Sequence, residues 1–67
     1  MLKRYFIDAS ALSYEEAELL ESFLDGYASN IGIFLDNPKH YDIFLEEHQT
    51  LEGLPQIPSN CKITRLS

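Results

Sequence analysis

The chain has 67 residues, 45% of them hydrophobic and 24% charged, with a net charge of −6 and a single cysteine, Cys61. That is one domain, residues 1–67, of a size that hides only about 60% of its unfolded surface, and an internal disulfide is excluded. The negative charge argues against a nucleic-acid or anionic-membrane surface. No apolar run approaches the ~18 residues of a membrane span. Asp8 interrupts the only apolar start, so no signal peptide is read and a cytoplasmic, reducing setting is expected.

Leu2 to Ile7 carries Tyr5, Phe6 and Ile7 and stops at Asp8-Ala9-Ser10, which reads as a first strand. Ser13 to Asp25 reads as a helix. Ser13 and Glu16 are spaced as a capping box, with Leu12 and Ala17 as a weak staple. Ala17, Leu20, Phe23 and Leu24 form its core stripe, Leu19 widens it, and Gly26 is the expected stop. Asn30 to Leu35 alternates Ile31, Ile33 and Leu35 and reads as a second strand, followed by a turn at Asp36-Asn37-Pro38.

Residues 38 to 51 fit two patterns. As a helix, Asn37 caps it, Pro38 takes its first position and Gly53 ends it. Tyr41, Phe44, Leu45, His48 and Leu51 then share one face. As a strand, Tyr41, Ile43 and Leu45 fold back onto Leu35, Ile33 and Ile31. The two caps and the polar run Glu46-Glu47-His48-Gln49 favour the helix. Gly53 to Asn60, with Pro55 and Pro58, reads as a surface loop pinned by Leu54 and Ile57. Cys61 to Leu66 reads as a last strand, at an edge. The expected fold is α+β, a β-α-β-α-β domain with a three-stranded sheet and two helices on one face. The alternative is β-α-β-β-β, with one helix on a four-stranded sheet.

Catalytic and metal-binding patterns are missing. His40 and His48 are eight residues apart, two helical turns, and cannot chelate one ion as an i, i+4 pair does. Cys61 has no nucleophile elbow or helix start beside it. The pairs Glu15-Glu16 and Glu46-Glu47 are adjacent, so on a helix they cannot flank one bond. No catalytic residue, metal ligand or cofactor is assigned, and no enzyme activity is expected.

Charge is the remaining signal. Lys3, Arg4, Lys62 and Arg65 stand near the two ends, while between Tyr5 and Asn60 eleven acids face Lys39 alone. On the helical reading Glu15, Glu18, Glu21 and Asp25 form one stripe. Asp42 and Glu46 form a second, shorter one, with Ile43 exposed among them as an apolar anchor. These residues point to a small acidic protein-binding module, an inhibitor or regulator such as a phage-type inhibitor or immunity protein. Its expected partner is a larger protein with a basic surface, a class that includes proteins that handle nucleic acid. The alternative is a small-ligand binder with a pocket between protomers, walled by Tyr27, Tyr41 and the histidines. Small size and open sheet edges also suggest self-association, with the last strand as the pairing edge.

Overall fold

The structure is a computed structural model that describes residues 2–35 and 38–67. In chain order it has β1 (Lys3–Asp8), α1 (Tyr14–Tyr27), β2 (Asn30–Phe34), β3 (His40–Leu45) and β4 (Lys62–Arg65). The four strands form one sheet in the order β2-β3-β1-β4, with every neighbouring pair antiparallel. β1 and β2 therefore run parallel with β3 inserted between them, a split β-α-β unit. The fold is the one-helix, four-stranded alternative. The three-stranded, two-helix expectation is corrected.

The correction lies at residues 38 to 51. β3 alternates half-buried and buried positions along its length, with Tyr41, Ile43 and Leu45 buried. These three meet Ile7, Tyr5 and Lys3 across β1. A strand here covers β1 on one side, and that tertiary gain outweighs the local helical caps. The proposed cap at Asn37 and most of the turn at Asp36-Asn37 lie outside the described residues. Tyr41 pairs with Ile33 and Ile43 with Ile31, two residues away from the register expected of a hairpin. A two-residue slip keeps every side chain on its face, so the apolar pattern alone could not choose between the two registers.

α1 is built as its sequence implies. Ser13 accepts from the Glu16 backbone N–H, and the Glu16 side chain accepts from the Ser13 N–H, completing the capping box. The helix passes Gly26 and ends at Tyr27, with Ala28 as its C-cap. Ala17, Leu20 and Leu24 are buried against the sheet. Phe23 is only half-buried, stacked on Tyr27 at 5.1 Å, and Leu19 is 74% exposed. Both were expected in the core. The buried stripe is narrower because α1 covers a small sheet alone.

Between β3 and β4 the chain forms no regular element. Leu51 is buried, and Leu54, Ile57 and Cys61 pack at the margin of the core. This loop seals the part of the sheet that one helix leaves open. Gly53 turns it at φ +77, a backbone shape that L side chains resist. Among the described residues no helix is long and apolar enough to cross a membrane.

Candidate functional site

The structure disperses the expected acidic residues. Ile43 is 0% exposed and sits in the core beneath α1, so the exposed anchor is corrected: in a strand it points opposite to Asp42. Asp42 lies on the sheet face turned away from the helix, held by Arg4 through Nε at 2.9 Å and Nη2 at 2.8 Å. The guanidinium, first by hydrogen bonding and then by charge, holds the Asp42 carboxyl below the usual carboxylate range. Glu46 follows β3 in a turn, where it accepts from the Ser29 hydroxyl at 2.8 Å. Among the described residues Asp42 and Glu46 form no second acidic stripe.

Glu21 also leaves the free stripe. Its Oε2 accepts from the buried Tyr41 hydroxyl at 2.7 Å and lies 3.5 Å from Lys39 Nζ. Burial, and then the carboxylate, push the Tyr41 phenol well above its ordinary pKa of 10.0. With Tyr41 inside the core it cannot wall a pocket between protomers. Tyr27 is tied to the loop, its hydroxyl bonded to the Thr50 carbonyl at 2.9 Å.

Glu15, Glu18 and Asp25 remain exposed on the outer side of α1, together with Ser22. Tyr14, 76% exposed, and Leu19, 74% exposed, share that solvent-facing surface. Sequence reasoning missed both apolar residues. The spacing of Leu19 also fits the edge of the buried stripe, yet the side chain is exposed; only the width of the covered sheet excludes it from the core. The arrangement is unfavourable for the helix itself. Glu15–Glu18 at i, i+3 and Glu21–Asp25 at i, i+4 are like-charge neighbours, each costing about 0.2–0.5 kcal/mol. Asp25 sits at the negative end of the helix dipole, and the last turn holds no basic residue.

The opposite surface of the molecule is the uncovered sheet face. Three of the four phenylalanines (Phe6, Phe34 and Phe44) lie on it, alternating with the buried positions of their strands. His40 stacks between Phe6 and Phe34, 4.9 Å from each ring centroid. Its Nδ1 donates to the Pro38 carbonyl at 2.8 Å. His40 is therefore part of an aromatic ridge, while His48, expected at the core edge, is exposed. Arg4 lies over the Phe44 ring at 5.7 Å.

Two further features have local explanations. An open groove of about 420 Å³ is lined by Leu2, Lys3, Glu47, Arg65 and Ser67. Its cations are held by main-chain oxygens, Lys3 by the Gln49 carbonyl and Arg65 by the Ser67 carbonyl. Cys61 is half-buried, and burial pushes its thiol up, away from a reactive thiolate. Among the described residues no three His, Cys, Asp or Glu side chains gather as a metal site. No protein-family model matches the chain, and searches of curated proteins and of solved structures return no significant match.

Proposed function

We propose that this domain works by binding another protein rather than by catalysis, as an inhibitor or regulator that docks on a basic surface. The contact is the outer side of α1: Glu15, Glu18 and Asp25 supply the charge, and Leu19 and Tyr14 the apolar anchors. The observation that carries this reading is a helix surface which spends helix stability. Its carboxylates repel one another, Asp25 opposes the dipole, and two large apolar side chains stand in water beside them. A surface selected only for solubility would intersperse lysines at i+4. Aromatic and aliphatic anchors ringed by charge suit a protein interface, where the charge sets association rate and selectivity.

The test starts with capture of the partner on immobilised domain from the native host, and continues with binding kinetics. Glu18→Lys combined with Asp25→Lys is expected to slow association and flatten its dependence on salt. Leu19→Ala is expected to speed dissociation. Glu21 is unsuitable for such a test, because reversing it strands the Tyr41 hydroxyl. A captured partner that binds the charge-reversed protein as tightly as wild type, with the same salt dependence, refutes the proposal.

A further inference from the structure

The uncovered sheet face differs electrically from the rest of the molecule. Register places Arg4, Phe6 and Asp8 on it from β1, His40, Asp42 and Phe44 from β3, and Asn30, Gly32 and Phe34 from β2. β4 adds Lys62 and Thr64. Two cations and two carboxylates cancel there, so the net −6 of the chain lies elsewhere. We propose that a second copy of this chain docks on this face, sheet against sheet, giving a two-fold dimer with the helices outermost.

The occupant follows from charge and chemistry. Two copies at −6 each repel over most of their surfaces, and the charge-balanced face is where they approach at least cost. Stacking the sheets puts the acidic helices on opposite outer sides, beyond the ~10 Å over which exposed charges interact at 0.1 M salt. Three of the charged groups on the face enter already hydrogen-bonded. Arg4 and Asp42 make two hydrogen bonds to each other, and Asp8 accepts from both the hydroxyl and the N–H of Ser10. The Phe6–His40–Phe34 ridge supplies apolar relief for interdigitation. Strand and residue spacings give the face about 300 Å² of projected area, or about 600 Å² for two facing copies before surface relief is added, below the standard size of a specific contact. The dimer is therefore weak and concentration-dependent.

Edge pairing is the competing geometry, and both edges carry devices against it. β4 ends the sheet with Lys62 and Arg65. On β2 the Ile31 N–H is taken by the Asn30 side chain at 2.9 Å. The proposal departs in this from the expectation that the last strand is the pairing edge.

Sedimentation velocity from micromolar to millimolar protein tests the proposal. Wild type is expected to shift from monomer to dimer across that range. Phe44→Glu and Thr64→Glu, both on the face, are expected to raise the dimer dissociation constant at least tenfold, while Ile33→Lys, on the β2 edge and the other face, leaves it unchanged. Thr64 is exposed at the end of the sheet, so its variant decides the matter if Phe44→Glu fails to fold. Wild type that stays monomeric at millimolar concentration overturns the proposal. So does a dimer abolished by Ile33→Lys and indifferent to Thr64→Glu. Leu19→Ala should not alter the dimer, which separates this surface from the helix surface proposed for the partner.

Discussion

Glu21→Ala should destabilise this domain more than the same change at Glu15, Glu18 or Asp25 of its acidic helix. The Tyr41 hydroxyl is inside the core and donates to Glu21 Oε2 at 2.7 Å. Deleting the carboxylate leaves a buried donor without an acceptor, and a hydrogen bond to a charged partner is worth about 1.5–3 kcal/mol. The Lys39 ion pair, 3.5 Å long and partly exposed, adds little. For a domain of this size 1 kcal/mol moves the melting temperature by about 4–8 °C, so Glu21→Ala should lower it by roughly 6–24 °C in thermal denaturation followed by circular dichroism. Tyr41→Phe removes the donor together with its need and should cost less, about 0.5–1.5 kcal/mol. The double variant should fall short of the sum of the two. The phenol adds a pH signature. Its folded pKa is raised, so the stability it contributes is complete below the ordinary value of 10.0 and is lost as pH rises above it. Wild type should therefore weaken above pH 10, and Tyr41→Phe should weaken less. If Glu21→Ala and Glu18→Ala lower the melting temperature equally, the buried hydrogen bond is not holding α1 to β3.

Asp25→Lys should stabilise the fold by about 0.5–1.5 kcal/mol, since it reverses an unfavourable dipole contact and turns the Glu21 neighbour from repulsive to attractive; a lower melting temperature would show that Asp25 serves the fold. Leu20→Ala should cost about 2–5 kcal/mol at its fully buried position, while Leu19→Ala next to it should stay within about 0.5 kcal/mol; urea titration of the two reads the orientation of α1 directly. Gly53→Ala should cost about 1–2 kcal/mol from backbone conformation alone, because its φ is +77 and no atom lies within 4 Å of an added Cβ.

Local signals in the sequence survived into the structure where the tertiary fold agrees with them and failed where it does not. The capping box at Ser13 and Glu16 involves residues three apart, and it is present with both of its bonds. Tyr5 and Ile7 are buried in the first strand, as their residue types imply. Residues 38 to 51 misled because their helical signals were also local and apparently consistent. Their true partner is β1, more than thirty residues away: Arg4 meets Asp42 and Phe44 across the sheet. An aspartate in a strand is unfavourable in isolation, and nothing near Asp42 in the sequence announces the arginine that neutralises it. The candidate site shifted for the same reason. Ile43 looked exposed only on a helix that does not form. Leu19 looked buried only beneath a sheet wider than one helix can cover.

The fold separates three roles that the sequence interleaves. Alternation along β1 and β3 sends Tyr5, Ile7, Tyr41, Ile43 and Leu45 to the helix side, and Arg4, Phe6, His40, Asp42 and Phe44 to the other. Unlike charges meet on that second side because the strands carrying them are antiparallel neighbours, and so its balance is a product of topology rather than composition. Among the described residues the acids of α1 meet no cation except Lys39, at Glu21; Glu16 caps the helix and Glu21 also accepts from the Tyr41 hydroxyl. Basic residues concentrated on β1 and β4 cannot reach Glu15, Glu18 or Asp25 on the outside of the helix, so the carboxylates stay unneutralised by the domain itself. A basic surface on a partner could supply that neutralisation, and a second copy, being equally acidic, could not. The charge-balanced sheet suits the copy, and the acidic helix suits a protein of opposite charge. The two surfaces face away from each other, so one domain can engage both at once.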